Sequence, residues 1–286
     1  MAAESLPYPK IDALPMGAHR LFMLTDQALF EQTGVRMGFT SRDGGVSEGA
    51  YASLNTAMHV DDDPARVACN RAIVAEAVGC ADAPLVVPNQ VHGSRIVTVQ
   101  GLADAPRAQE EASEGADAVV VAATGVATLL NFADCLPLII VSPTGRFAVA
   151  HAGWRGAVAG IAGKAARALA AADEEAGEPI PAAEFNAYIG PHICAKCFEV
   201  SEDVSSQFVE KFGPAVSPDP RHVSLANAVA ADLNSAGLSF ARIKDCEQCT
   251  MCHPDKYYSY RASNSHCGRH AAIAFKNDDQ VGIKTP

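Results

Sequence analysis

The chain has 286 residues, of which 49% are hydrophobic and 19% charged, so it can bury a large core and global disorder is excluded. Its 22 Lys and Arg stand against 33 Asp and Glu, a formal net charge of −11, which argues against a broad duplex-binding surface because such surfaces rest on cations meeting phosphates. No nucleic-acid partner is therefore expected, and any anionic ligand must find a local basic pocket. No apolar run approaches the roughly 20 residues of a membrane helix. The opening stretch MAAESLPYPKIDALPMG also lacks a secretion signal's charged start and continuous apolar core. A cytoplasmic protein without a membrane partner is the expectation. The nine cysteines agree, since an odd count without an export signal reads as thiols or metal ligands rather than as a disulfide framework.

In chain order, residues 1–30 read as an N-terminal extension packed on one domain spanning 31–280, with no internal repeat. The first short apolar run, 36–40, reads as a strand. Asp63-Pro64 then supplies an N-cap and a first-turn proline for a helix over 67–78, with Gly79 as its stop. Apolar or alternating runs bounded by Gly, Pro or Asp place strands at 95–100, 118–122, 127–131, 136–141 and 146–151. An alanine-rich helix follows over 156–172, then a strand at 185–190, helices at 202–212 and 225–235, and strands at 240–244 and 271–275. The strands between 119 and 151 succeed one another through turns too short for crossover helices. The class is therefore α+β rather than a doubly wound sheet.

The glycines after these strands do not form a nucleotide loop. A phosphate loop ending at Gly163-Lys164 needs a glycine where Val158 stands, and the spacing of Gly153, Gly156, Gly160 and Gly163 misses the dinucleotide fingerprint. Small residues that let a helix approach its neighbour closely are the simpler reading. The His-Glu-x-x-His and His-x-Glu signatures of common zinc enzymes are also absent.

Three segments each place one metal-ligand side chain at the end of an apolar strand or beside a glycine. They are Gln90-Val91-His92-Gly93, Ala133-Asp134-Cys135-Leu136-Pro137 and Ala150-His151-Ala152-Gly153-Trp154-Arg155-Gly156. A hairpin turning at Pro143-Thr144-Gly145 puts Cys135 nine residues before Thr144 and His151 seven after it, so both reach the open end, offset by no more than a bulge. A thiolate beside an imidazole suits zinc. A third ligand from His92 leaves one tetrahedral position open, which a catalytic zinc requires and a structural one lacks. Taken singly the residues are bland: a lone strand histidine is more often a satisfied core residue, and a cysteine in an apolar strand is more often inert packing. Beyond His151, Arg155 supplies a planar cation at the start of the alanine-rich helix, whose free amides also favour an anion such as phosphate.

The strings FTSRDGGVSEGAYASLN, NQVHGSRIV, GADAVV, ADCLPLII, AHAGWRG, YIGPHICAKCFEV and CTMCHPDKYYSYR resemble, in order, the motifs of the laccase-domain or multicopper polyphenol oxidase family. That family is also called the purine nucleoside phosphorylase or peptidoglycan editing factor family, and the resemblance spans residues 39–269. It implies a single-domain, four-layer α/β/β/α sandwich with His92, Cys135 and His151 as ligands of zinc, copper being the other possible metal. It further implies a zinc-dependent purine nucleoside phosphorylase acting on adenosine, inosine and S-methyl-5′-thioadenosine with inorganic phosphate, and adenosine deamination as a side activity. Arg42 and Arg71 join Arg155 as implied phosphate ligands, with surface ion pairs as their bland reading. Asp134, beside the thiolate, reads as a proton carrier, as a hydrogen-bond acceptor behind the ligands, or simply as a turn cap. Asp134, Cys135 and His151 are thus the catalytic candidates.

The sequence departs from the family's pattern in two places. After Ser259-Tyr260-Arg261 the usual Arg, Asp-Gly and Thr-Gly-Arg give way to Ala262-Ser263-Asn264-Ser265-His266-Cys267-Gly268-Arg269, which bears on substrate preference more than on metal binding. Asp61 replaces a usual glycine and is expected to make the surroundings of His59 acidic. Cys194, Cys197, Cys246, Cys249, Cys252, His253 and Cys267 also offer four ligands for a closed second zinc, although the 48 residues between Cys197 and Cys246 exceed a compact zinc ribbon.

Three rivals use the same residues. A copper-dependent polyphenol oxidase in the multicentre sense is poorly served by nine scattered histidines without a His-x-His pair, though affinity alone would load copper into a Cys-His-His site. A metal-free hydrolase editing peptidoglycan precursors, with Cys135 as nucleophile and His151 as base, differs in its indifference to chelators. A metal-storage protein would bind zinc without turnover.

Overall fold

The computed structural model describes residues 4–277, so residues 1–3 of the expected extension and 278–280 of the expected domain lie outside the described residues. The chain opens with the hairpin β1 (Asp12–Met16) and β2 (Leu21–Thr25), then α1 (Gln27–Thr33), β3 (Val35–Thr40) and α2 (Pro64–Ala77). The two-residue β4 (Leu85–Val86), β5 (Ile96–Val99) and α3 (Ala105–Ser113) lead to four strands buried along their whole length. These are β6 (Ala118–Val121), β7 (Ala127–Phe132), β8 (Leu136–Val141) and β9 (Phe147–Ala152). The remainder comprises α4 (Trp154–Val158), α5 (Ile161–Glu175), β10 (Asn186–Ile189), α6 (Glu202–Phe212), α7 (Leu225–Ser235), β11 (Ile243–Asp245) and β12 (His270–Lys276).

The strands form two mixed six-stranded sheets, ordered β1-β2-β3-β12-β7-β4 and β11-β10-β8-β9-β6-β5, which establishes the α+β class expected. Side-chain alternation explains how they pack. Ile139, Val141, Phe147 and Val149 meet Met37, Phe39, Leu130 and Ala274 in an apolar layer between the sheets. The opposite faces of β8 and β9, through Leu138, Ile140, Ala148 and Ala150, pack on Ile161, Ala165 and Leu169 of α5 and on Val229 and Leu233 of α7. Behind the first sheet, Met23, Leu129 and Ile273 pack on Ile73 and Val74 of α2.

Two features of this arrangement position the site. β7 belongs to one sheet and β8 to the other, so Ala133-Asp134-Cys135 is the turn on which the chain changes sheets. The β8–β9 hairpin pairs Pro137 with His151 and Leu136 with Ala152. Cys135 therefore lies two residues beyond His151's partner, on the same face of the hairpin, and no bulge is needed to bring them together.

Several elements differ from the sequence expectation for local reasons. The helix expected over 156–172 is two, α4 and α5, because Gly160 at φ +79° breaks it; an added Cβ there would meet Lys211 Nζ at 2.9 Å. Gly163 fulfils the small-residue reading, since its Cβ position lies 2.8 Å from Asp232 of α7, whose carboxylate accepts the Gly163 N–H. The strand expected at 240–244 begins as a 3-10 turn (Phe240–Arg242) and pairs only from Ile243. β1 carries Pro15, which an edge strand tolerates but which masks the strand pattern, and β4 is too short to show one. Among the described residues no helix is long and apolar enough to cross a membrane.

Ile139 is fully buried between the sheets. Ile139→Ala should cost about 2–5 kcal/mol of stability. In urea titrations this should appear as a lower midpoint with an unchanged slope.

Candidate active site

Three backbone segments meet at one end of the layer between the sheets, and a single buried carboxylate joins two of them. Asp117, just before β6, is fully buried. Its Oδ1 accepts the His92 N–H at 2.9 Å and contacts His151 Nδ1 at 2.7 Å, while Oδ2 accepts the N–H groups of Gly93 at 2.6 Å and Val91 at 3.3 Å. The His151 N–H donates to the Asp117 carbonyl at 2.7 Å. Burial by itself would raise the Asp117 pKa, but the His151 ring and the surrounding N–H groups outweigh it and hold the carboxyl below its usual range. These bonds fix His92 at a positive φ of 59° and turn the Nε2 of His151 away from the carboxylate, toward Cys135. A carboxylate behind a histidine in this way sets the ring's tautomer and orientation at metal sites.

The ligand atoms of His92, Cys135 and His151 lie within 4.8 Å of one another, and the two imidazole rings stand edge to face with centroids 4.8 Å apart. Burial pushes the Cys135 thiol up, yet His151 and then His92 reverse this and bring it down to about 6. Burial lowers His151, but the Cys135 thiolate and Asp117 raise it to about 9. One sulfur and two nitrogens in a compact set, with a carboxylate behind one ring, fit a borderline metal such as zinc. Two glycines make room for the set. A Cβ on Gly153 would stand 2.9 Å from His92 Cδ2 and 3.3 Å from Cys135 Sγ, and one on Gly156 would stand 2.7 Å from the Gly93 carbonyl oxygen.

The trio faces a cavity of about 430 Å³, a size ordinary for a small-molecule site. Trp154, Ile193, Phe198, Leu225 and Tyr260 give it an apolar and aromatic wall, and three arginines also line it: Arg155, Arg261, which donates to the Glu199 carbonyl at 3.0 Å, and Arg269, which donates to the carbonyls of Cys267 at 2.7 Å and Gly268 at 2.9 Å. Of the arginines expected on phosphate, only Arg155 lines this cavity. Arg42 instead donates to the carbonyls of Ala52 at 2.9 Å and Pro254 at 2.7 Å. Arg71 donates to the Thr56 carbonyl at 2.7 Å and lines a neighbouring groove that shares His59 and Asn131 with the cavity. α4 is a helix of only five residues, so the helix-end contribution expected beside Arg155 is that of a single turn.

Asp134 lines the cavity at a φ of +83°, with both carboxylate oxygens engaged: Oδ1 accepts from the Thr250 hydroxyl at 2.6 Å and Oδ2 from the Arg261 N–H at 2.8 Å. Around His59 cations prevail over the expected acidity. Partial burial first, then Arg269 and Arg71, lower its pKa. Gly45-Val46-Ser47-Glu48-Gly49 has the letters of a hydrolase nucleophile elbow. Ser47, however, is buried, donates to Asp62 at 2.6 Å and does not line the cavity. Sequence reasoning gives no role to Asp117, Arg261 or Arg269, although Asp117 lies in the string GADAVV and abuts a wholly apolar strand, and Arg261 ends the string CTMCHPDKYYSYR.

Fold and site together define a class, α+β proteins of two mixed sheets with a Cys-His-His cluster where the chain passes between them. Residues 36–277 match the model of the multi-copper polyphenol oxidoreductase laccase family, and the chain belongs to that family. Among curated relatives, a purine nucleoside phosphorylase of Streptomyces coelicolor is 36% identical over 231 residues, covering 80% of this chain and 90% of that protein. Adenosine deaminase RL5, from an unknown prokaryotic organism, is 32% identical and covers 82% of this chain and 92% of its own length. Among solved structures, YlmD from Geobacillus stearothermophilus superposes with a TM-score of 0.79 at 29% identity, over 93% of this chain and 100% of that one.

Because a metal here must displace protons from Cys135 and His151, zinc affinity should rise with pH from about 6 to about 9, where the ring loses its proton. Competition with a chromophoric chelator measures this. Asp117→Asn should weaken zinc binding about 10- to 100-fold at pH 7.

Proposed function

We propose that this chain is a zinc-dependent purine nucleoside phosphorylase acting on adenosine, inosine and S-methyl-5′-thioadenosine, with adenosine deaminase activity at the same site. The observation that supports it most is one cavity containing a Cys-His-His donor set, three guanidinium groups and an aromatic wall. The names of the curated relatives agree with this reading. The same reading takes the two sheets and their outer helices as a four-layer α/β/β/α sandwich, with residues 1–30 as an extension of one catalytic domain.

His92, Cys135 and His151 would hold the zinc, which when bound supplies Lewis acidity to a substrate oxygen or to water. Arg155, Arg261 and Arg269 bind inorganic phosphate through charge-assisted, forked hydrogen bonds. Trp154, Phe198 and Tyr260 offer faces and edges on which a purine stacks. Hydrogen phosphate held against the ribose forms the new C–O bond at the anomeric carbon as the C–N bond breaks; the pair of electrons of the C–N bond leaves on the purine nitrogen, which takes up the proton that the phosphate gives up. Asp134, tied to Thr250 and the Arg261 backbone, positions one cation of the phosphate site. Arg42 and Arg71 support the loops through their carbonyl bonds.

Zinc-replete protein incubated with adenosine and phosphate should release adenine and ribose 1-phosphate, followed by chromatography of the products. Release of neither these nor inosine would contradict the proposal. Arg155→Ala should raise the KM for phosphate about 10- to 100-fold, the worth of one charged hydrogen bond. The lowered Cys135 thiol beside His151 also favours a second reading, a metal-free Cys-His hydrolase on peptidoglycan precursors. Activity that survives complete chelation would select it.

A further inference from the structure

A second group of metal-ligating side chains lies outside the trio. β10 and β11 are parallel neighbours, with Ile189 opposite Asp245, so the segments after them leave the same end of the sheet. One carries Cys194 and Cys197, the other Cys249 and Cys252, and parallel pairing makes the long gap between them in sequence irrelevant. The two segments stay paired beyond the strands: the His192 N–H donates to the Gln248 carbonyl at 3.1 Å and the Thr250 N–H to the His192 carbonyl at 3.2 Å. All four sulfurs lie within 4.8 Å of one another, and Cys197 Sγ is 3.5 Å from Cys252 Sγ. Zinc with four thiolates at ~2.3 Å spaces its sulfurs about 3.8 Å apart, a value between the 3.5 Å of this pair and the 4.8 Å that bounds the cluster. A disulfide would need about 2.05 Å.

The backbone is already arranged for thiolates. Each pair closes a tight turn, the Cys197 N–H reaching the Cys194 carbonyl at 3.0 Å and the His253 N–H the Cys249 carbonyl at 3.1 Å. The Cys194 N–H donates to Cys249 Sγ at 3.3 Å. Cys246 and Cys267, the other candidates of this region, are not in the group.

We propose that Cys194, Cys197, Cys249 and Cys252 bind a second zinc ion in a closed, structural site that fastens the two segments forming one wall of the cavity. The fastening reaches the site through Asp134. Its carbonyl accepts the Ile193 N–H at 2.9 Å and its Oδ1 the Thr250 hydroxyl at 2.6 Å, while Ile193 and Phe198 line the cavity itself. The ion has four protein ligands and no open position, so it has no part in the chemistry. That this wall bounds a nucleoside site rests on the function proposed above; the metal site does not.

Elemental analysis of full-length protein purified under reducing conditions tests the site directly. Wild type should carry two zinc ions per chain, and Cys135→Ala should retain one. Cobalt introduced into Cys135→Ala should show the intense absorption of tetrahedral tetrathiolate coordination. Zinc-free Cys135→Ala, or iron in place of zinc, would overturn the assignment whether or not the protein turns over nucleosides. Cys252→Ser should lose one zinc, keep the other and raise the nucleoside KM about tenfold with kcat held. Cys252→His, which restores a fourth ligand, should recover both the zinc and the KM. An unchanged KM in the serine variant would overturn the fastening role.

Discussion

A buried carboxylate is stable only when donors surround it, and in this protein the donors that satisfy Asp117 are the elements of the site. The backbone of the His92 loop, the N–H of Gly93 and the ring of His151 all converge on its two oxygens. Two histidines from distant parts of the chain, His92 and His151, are thereby held in one orientation. Cys135 reaches them because the chain changes sheets at that residue, which places its sulfur on the end of the apolar layer rather than within it. Gly153 and Gly156 complete the constraint by their lack of side chains, one beside the trio and one against the His92 loop.

The cavity is a local concentration of cations in an acidic protein. The chain's net charge of −11 repels phosphate at long range. At short range Arg155, Arg261 and Arg269 converge on the cavity, and their neighbours Trp154, Phe198 and Tyr260 stand within cation–π reach of the same guanidinium groups. The same residues therefore present charge and aromatic surface side by side in one cavity.

Spacing along a hairpin is the part of the site most legible in the sequence. Counting from Thr144 brings Cys135 and His151 together because strand pairing turns chain separation into register. The boundaries of α6 and α7 are equally plain, their amphipathic runs ending at Gly213 and Gly237. Asp117 leaves no such trace, because three of its partners are backbone amides that any sequence would supply and the fourth, the His151 ring, is 34 residues away. Arg261 and Arg269 sit on a loop whose approach to the cavity is set by Asp134 and Glu199, contacts across more than a hundred and about sixty residues that periodicity cannot reveal. The carbonyl partners of Arg42 and Arg71 are likewise illegible in sequence, because an arginine's letter does not say which acceptor it meets. The two Cys-x2-Cys pairs look too far apart for one site because chain separation ignores the parallel pairing of β10 and β11.

On the proposed function, Asp117 organises His92, Cys135 and His151 around one zinc with a position left for reactants. Diffraction data collected on either side of the zinc absorption edge, from crystals grown with zinc and phosphate, test it most directly. The expected result is an anomalous peak bonded to all three side chains, a fourth ligand that is not protein, and phosphate against Arg155. A fully occupied zinc elsewhere with the trio bare, or a fourth protein ligand closing the site, would contradict it.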